Sequence, residues 1–259
     1  MMRFAAGVEY DGTAYSGWQI QAHAPSVQAH VERALSRVAA HPLSVVAAGR
    51  TDAGVHASHQ VIHFDTQARR SQHGWLLGGN VHLPADINLI WVREVTGDFH
   101  ARFSASARRY RYLILNRRAR SSLYRDRACW HHHSLDAAAM AQGAAGLIGE
   151  HDFSSFRAAQ CQSRTPMRCV NQVAVRRRGD FVWIDIEANA FLHHMVRNIA
   201  GTLMAVGRGE RAPDWVIRVL EARDRRAGGA TAPATGLYLT DVRYPARFSI
   251  PSGVAIWPV

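Results

Sequence analysis

The spacing of apolar and polar residues predicts strands and amphipathic helices that alternate along most of the chain. Short apolar runs and period-two alternation predict strands over residues 4–10, 43–48, 60–65, 87–95, 110–115 and 237–244. Two more runs, 171–177 and 181–187, flank Gly179 and Asp180 and predict a β-hairpin.

Helices are predicted where apolar residues recur every three or four positions. Val27, Val31, Leu35 and Val38 share one face of a helix that follows Ser26, a residue type that caps helix N-termini. Further helices are predicted over 75–83, over 134–148 with Ser134 as the cap, over 191–206, and from Pro213 to about residue 223. Helices combined with hairpins favour an α+β fold over a doubly wound parallel sheet.

The order of the predicted elements suggests an internal duplication. Strand, helix, strand, strand, helix and strand follow one another in the first part of the chain, and a similar order returns after residue 106. We therefore predict two related α+β halves, residues 1–105 and 106–259, although no sequence identity between them is visible. The composition of residues 223–235, rich in Arg, Ala, Gly and Pro, predicts a mobile loop.

The composition is that of a globular protein, with 259 residues, 47% hydrophobic and 20% charged. A chain of this length buries enough surface to fold without a disulfide or metal, and its three cysteines include no CxxC pair. No apolar run approaches the roughly 20 residues of a membrane helix, and the N-terminus lacks the pattern of a signal peptide. We expect a cytoplasmic protein with no membrane contact.

The charge balance points to an anionic partner. The net charge is +11, and all 31 basic residues are arginine. Arginine pairs with phosphate and stacks on bases, so a basic surface of this kind attracts nucleic acid. On composition alone, a basic surface without such a partner is equally acceptable.

The segment 48–57 carries the clearest candidate for catalysis. Asp52 lies between Gly49 and Gly54 directly after a predicted strand. An isolated Asp in a turn usually caps the backbone, but Arg50 could lie beside Asp52 and favour its ionised form. The glycines also let another backbone or a ligand come close. An ionised Asp can act as a nucleophile or base without a metal.

Two further segments combine aromatic, basic and apolar residues. On the strand at 107–112, Tyr110 and Tyr112 share one face while Arg109 and Arg111 share the other. This pattern suits base stacking and phosphate contact, or else an amphipathic edge strand with core tyrosines. Arg197 lies among apolar residues of a predicted helix, where it either finds a partner or lies on a solvated stripe.

Several common catalytic patterns are absent from the sequence. There is no phosphate-binding GxxxxGK[ST] loop, no HExxH and no GxSxG. His131, His132 and His133 are adjacent, and the histidines at 56, 59 and 63 fall in a predicted loop and strand, so neither set favours a metal site. A metal-dependent hydrolase is therefore disfavoured.

Six segments, in one order along the chain, resemble the tRNA pseudouridine synthase A family. They are 9–19 (EYDGTAYSGWQ), 49–57 (GRTDAGVHA), 99–105 (FHARFSA), 108–112 (RRYRY), 191–199 (FLHHMVRNI) and 236–239 (GLYL). The resemblance implies isomerisation of uridine to pseudouridine at positions 38, 39 and 40 of the tRNA anticodon stem-loop.

The resemblance also implies roles for individual residues. Asp52 is expected to be the catalytic aspartate and Arg197 the basic residue paired with it. Tyr110 is expected to stack on the target base, Leu237 to close the pocket, and Arg50 to contact the flipped nucleotide or its phosphates.

The family's architecture sets the remaining expectations. Two α+β halves form an extended, mixed, mainly antiparallel sheet flanked by helices, with a central RNA-binding cleft. The resemblance implies a homodimer in which each tRNA contacts both subunits, with no metal and no organic cofactor. A non-catalytic RNA-binding protein on the same scaffold is the alternative, but it leaves Asp52 unexplained.

Overall fold

A computed structural model describes residues 1–253. Its strands are β1 Met2–Tyr10, β2 Val46–Ala47, β3 His56–Thr66, β4 Ile87–Val95, β5 Ala107–Asn116, β6 Cys129–His131, β7 Gly149–Asp152, β8 Met167–Arg178, β9 Phe181–Ala188 and β10 Leu237–Arg243. Its α-helices are α1 Val27–Ala39, α2 Gln72–His82, α3 Ala137–Ala145, α4 Met195–Gly207 and α5 Trp215–Ala222.

The chain forms two compact units. The first combines Met1–Ser106 with residues 238–253, and the second is Ala107–Leu237. The predicted halves, 1–105 and 106–259, divide the chain by the order of its elements. That the two halves arose by duplication of one structure stays a prediction. Packing instead places the segment after Leu237 with the first unit, since β10 runs parallel to β3 with Tyr238 opposite His56.

The first unit contains a mixed sheet in the order β4-β1-β3-β10, with β2 also paired to β3. β1 is antiparallel to both β3 and β4. The core of the first unit forms where Phe4 and Phe64 contact Trp75 of α2, with ring centroids 5.1–5.7 Å apart. The predicted face of α1 is confirmed, since Val27, Val31 and Leu35 are buried and Ser26 accepts the Ala29 N–H. Val38, the fourth residue predicted on that face, is half-buried.

The second unit contains strands in the order β5-β9-β8-β7, each antiparallel to its neighbours, with β6 parallel to β5. The hairpin between β8 and β9 is confirmed, and Gly179 adopts a positive φ of 55° in its turn. Helices α3, α4 and α5 belong to this unit. Both units therefore join a mainly antiparallel sheet to helices, which confirms the α+β class.

Some predicted boundaries are wrong. α3 begins after Asp136 rather than Ser134, because the Asp136 carboxylate accepts the N–H groups of Ala138 and Ala139. The strand expected over 43–48 shrinks to Val46–Ala47. The strand expected over 60–65 extends back to His56, because the polar side chains at its start are buried there.

The helix expected over 191–206 begins only at Met195. His194 directly before it has a left-handed φ of 61°, which interrupts the helical path that the apolar spacing predicted. In residues 1–253, no helix combines the length and apolar composition needed to cross a membrane.

His63 of β3 is a buried histidine that the fold keeps neutral. Its Nδ1 accepts the N–H of Ala101 at 3.1 Å, and the side chain is 4% exposed. Burial lowers the pKa of His63 to about 4, and the charge of Arg3 acts in the same direction. Protonation of this ring therefore opposes folding.

We expect the free energy of unfolding to decrease as the pH falls from about 6.5 towards 4, because the unfolded chain then binds a proton at His63 that the folded protein does not. His63→Asn should flatten part of this dependence, since the amide oxygen can accept the Ala101 N–H without titrating. Urea unfolding at several pH values measures the effect. Exposed His23→Asn is the control; equal pH profiles for His63→Asn and the wild type would contradict the assignment.

Candidate active site

Asp52 lies half-buried in the turn between β2 and β3. At the start of the turn, Ala48 donates to the carbonyl of Val61 at 2.8 Å, and Gln60 Nε2 donates to the carbonyl of Gly49 at 2.7 Å. At its end, the N–H of Val55 returns to the carbonyl of Asp52 at 3.1 Å. The backbone that carries the carboxylate is therefore fixed on both sides.

A second segment, residues 10–18, holds this turn from outside. The N–H of Trp18 donates to the carbonyl of Thr51 at 3.0 Å, and the N–H of Gly54 donates to the carbonyl of Tyr15 at 3.3 Å. The hydroxyls of Tyr10 and Thr51 share a buried hydrogen bond of 2.7 Å. These contacts join the block at 9–19 to the block at 49–57.

Gly17 makes this contact possible. Its φ is +98°, and a Cβ at this position would lie 2.6 Å from the carbonyl oxygen of Thr51. A side chain here would therefore be strained and would collide with backbone. Only the family resemblance singles out the segment 9–19, and its glycines are the sequence signal for a close backbone contact.

No ion pair joins Arg50 to Asp52 within residues 1–253. Arg50 is exposed, and within the described part of the chain it makes no hydrogen bond or ion pair. A separation of two residues in the sequence therefore does not by itself bring the two charges into contact. The guanidinium of Arg50 remains accessible to an anionic ligand.

Tyr110 and Tyr112 of β5 lie in different surroundings. Tyr112 is fully buried, its hydroxyl donates to the carbonyl of Pro233 at 2.9 Å, and burial raises its pKa. Tyr110 is 9% exposed and meets the edge of the Phe191 ring at 5.0 Å. Tyr112 is thus a core residue, while Tyr110 belongs to an aromatic pair beside the segment that precedes α4.

The arginines on the opposite face of β5 form ion pairs across the sheet. Arg109 pairs with Glu187 at 2.9 Å, and Arg111 pairs with Asp185 at 2.7 Å. In both cases the partner lies directly opposite on β9. Of the two interpretations of this strand, the amphipathic one describes Arg109 and Arg111, since carboxylates of the same sheet compensate their charges.

Arg197 lies half-buried in the first turn of α4. Its Nε donates to the carbonyl of Ala232 at 2.8 Å, and the N–H of Ala232 donates back to the carbonyl of Arg197 at 3.1 Å. A backbone carbonyl thus accepts one of the arginine's donors. This reciprocal pair fixes the direction of the side chain.

Residues 228–233 reach Arg197 because they lie directly on α4. A Cβ on Gly201 would lie 1.7 Å from the carbonyl oxygen of Ala230, so the two backbones touch. Thr231 donates to Asn198 Oδ1 at 2.7 Å, and Gly229 donates to Thr202 Oγ1 at 3.1 Å. This part of the predicted loop is therefore anchored along the helix.

Leu237 is 6% exposed at the start of β10. Its N–H donates to the carbonyl of Ala234 at 2.9 Å, and the preceding residue, Gly236, accepts the N–H of Leu113 at 2.7 Å. The second unit therefore holds Tyr110, Arg197 and Leu237, and the first unit holds Arg50 and Asp52.

The histidines of β3 have separate structural partners. His56 accepts the N–H of Gly12 at 3.1 Å and stacks on Tyr238 at 4.6 Å. His59 accepts the indole N–H of Trp91 at 3.0 Å. Their rings are used to join neighbouring segments of the first unit.

Comparison with known proteins identifies the family. The model of a family described as tRNA pseudouridine synthase matches residues 6–104 and 144–245. The chain belongs to the tRNA pseudouridine synthase family. The first matched range includes Asp52, and the second includes Arg197.

Individual members of the tRNA pseudouridine synthase family match nearly the whole chain. A tRNA pseudouridine synthase A from Methylococcus capsulatus is 59% identical over 96% of this chain and 92% of its own length. One from Coxiella burnetii is 56% identical over 97% and 96%, and one from Nitrosococcus oceani is 53% identical over 99% and 100%.

We expect Gly17→Ala to lower the free energy of unfolding by at least about 1 kcal/mol, because a left-handed φ is unfavourable for alanine and its Cβ meets the Thr51 carbonyl. Urea unfolding measures the change. Gly97→Ala is the matched control, since a Cβ at Gly97 meets nothing within 4 Å. Equal stabilities of the two variants would show that the contact with Thr51 is not constrained.

Proposed function

We propose that this chain isomerises uridine to pseudouridine at positions 38, 39 and 40 of the tRNA anticodon stem-loop, with Asp52 as the catalytic residue. Membership of the tRNA pseudouridine synthase family carries the proposal. The rigid turn around Asp52 supports it, because a reactive carboxylate works best when its position is fixed before the substrate binds.

In this reaction the uracil leaves the ribose and is reattached to it through a different ring atom. The N1–C1′ bond breaks, the uracil turns, and a C5–C1′ bond forms; the proton on C5 is then lost and N1 gains a proton, so the step is an isomerisation. No electrons are exchanged with a redox cofactor, and no phosphoryl group moves, so one carboxylate can suffice. Asp52 assists either by adding to the sugar or base, or by removing a ribose proton.

The other proposed roles follow the family resemblance. Arg197 pairs with Asp52 and favours its ionised form, Tyr110 stacks on the target base, and Leu237 closes the pocket. Two observations support these roles: Arg197 is oriented by Ala232, and Tyr110 keeps a small exposed fraction beside Phe191. The exposed guanidinium of Arg50 is proposed to contact the flipped nucleotide or its phosphates.

Binding must supply the energy that takes the base out of its stack, a few kcal/mol. The net charge of +11 supports a large electrostatic contribution from phosphate contacts. We further propose that the protein acts in the cytoplasm as a homodimer, with each tRNA contacting both subunits, and that catalysis needs neither a metal nor an organic cofactor.

Asp52→Asn should abolish turnover and leave tRNA binding within a fewfold of wild type, because the amide keeps the shape of the carboxylate but cannot act as a nucleophile or base. Tritium release from unmodified tRNA labelled at uridine C5 measures turnover, and filter binding measures affinity. Asp180→Asn, in the exposed hairpin turn, controls for the loss of one negative charge. Substantial release by Asp52→Asn would refute the catalytic role.

Affinity for tRNA should fall steeply as salt rises, because each phosphate contact releases counterions from the RNA. The logarithm of the association constant should decrease linearly with the logarithm of salt concentration, with a slope of several units. Filter binding across a salt series, at constant pH and temperature, gives this slope. A flat titration would contradict the electrostatic account of binding.

A further inference from the structure

Phe103 is a large aromatic residue in the turn between β4 and β5 that contributes little to the core. Its side chain is 76% exposed, whereas Phe99 and Ala101 in the same turn are fully buried. Exposure of one apolar residue needs no explanation by itself. The structure of the turn around the Phe103 ring does need an explanation.

The turn is held rigidly by its own polar groups. Ser104 N–H donates to the carbonyl of His100 at 2.9 Å, and the N–H of His100 donates to Ser104 Oγ at 3.0 Å. His100 Nδ1 accepts the N–H groups of both Arg102 and Phe103 at 3.2 Å. The backbone of Phe103 is thus fixed by a side chain within the turn.

The base of the turn is anchored in the first unit. The Tyr244 hydroxyl donates to the carbonyl of Ala101 at 2.6 Å, and the Ala101 N–H donates to the buried His63. The Phe99 ring packs against Tyr244 and Phe248 at 5.1 and 5.2 Å. These contacts prevent Phe103 from folding back into the core.

The ring itself is supported from the side of the protein. The His100 ring lies 4.3 Å from the Phe103 ring at an interplanar angle of 30°. The His100 ring in turn lies 4.7 Å from the His63 ring, and the guanidinium carbon of Arg102 lies over the Phe103 ring, 5.5 Å from its centre. A largely exposed aromatic ring with a cation over it is therefore preorganised in the absence of any ligand.

We propose that Phe103, supported by His100 and flanked by Arg102, is a stacking platform for an unpaired nucleobase of the bound tRNA. Proteins that bind single-stranded or looped RNA combine such aromatic faces with cations that meet the backbone. The inference rests on the proposed function, since it takes tRNA as the ligand, and it adds a base contact outside the residues assigned above.

The surroundings favour RNA over a protein partner. The exposed residues on this turn and on the segment hydrogen-bonded to it include Arg102, Arg243 and Arg247. Arg243 and Arg247 lie 3.9 and 3.6 Å from the carboxylates of Asp241 and Asp98. Aromatic residues and arginine are enriched in protein interfaces too, so these residue types alone do not choose the ligand. The net charge of +11 favours a polyanion, and one exposed ring with arginines nearby matches the combination of base stacking and phosphate contact.

The test compares a flat with a non-flat replacement for Phe103. In the full chain carrying Asp52→Asn, so that the RNA is not converted during the measurement, Phe103→Leu should weaken binding of an unmodified tRNA transcript by about 5- to 100-fold. Phe103→Trp should stay within about twofold of the parent, because a flat aromatic face remains. Val81→Ala removes apolar surface from a side chain of similar exposure, 78%, and should leave Kd unchanged.

Salt dependence separates stacking from charge. The slope of log K against log salt should be the same for Phe103→Leu and the parent, since a neutral ring releases no counterions, whereas Arg102→Ala should reduce the slope by about 0.7–0.9 if it meets a phosphate. Thermal unfolding should be unchanged for both Phe103 variants, because the side chain is exposed.

Three results would overturn the platform. They are an unchanged Kd for Phe103→Leu, an equal loss for Phe103→Trp or Val81→Ala, and a change in sedimentation mass for Phe103→Leu, which would make this surface a contact between copies of the chain. Absence of tritium release by the wild-type protein would refute the proposed function separately, because the binding comparison does not depend on turnover.

Discussion

The candidate active site depends on a close approach of two backbones at Gly17 and Thr51. The turn that carries Asp52 has few apolar side chains of its own to pack, so hydrogen bonds from residues 10–18 determine its shape. These bonds form only because Gly17 has no Cβ and tolerates a positive φ. Backbone groups have no rotamers, so the turn fixes the position from which the Asp52 side chain projects.

In the second unit, a close backbone approach at a glycine also positions Arg197. Gly201 allows residues 228–233 to lie on α4, and the carbonyl of Ala232 then accepts the Nε of Arg197. A long, flexible side chain is thereby oriented by a neighbouring backbone rather than by apolar packing. In each unit, a polar residue central to the proposed chemistry is held by a contact that only glycine permits.

Charge is divided between folding and recognition. Arg3, Arg109 and Arg111 form ion pairs with Asp65, Glu187 and Asp185 within the two sheets. Each ion pair neutralises one positive charge with one negative charge. The excess of arginine over acidic residues is therefore not consumed by these pairs and lies at the surface. Arg50 and Arg102, both exposed, belong to segments whose backbones are already fixed, which limits the entropy lost on binding RNA.

The sequence by itself determined the α+β class, most elements, the strand–turn setting of Asp52 and the family. Local periodicity and residue type are sufficient for these, as the Ser26 cap and the hairpin at Gly179 illustrate. Tertiary structure decided the outcome at positions where polar residues compete with that pattern. β3 begins at His56, where one ring nitrogen each of His56 and His59 accepts a hydrogen bond from another segment, and α4 begins late because His194 turns the backbone. It also separated Tyr112 from Tyr110, and gave Arg109 and Arg111 their carboxylates. Residues distant in sequence supply each of these partners, and no local pattern encodes such distances.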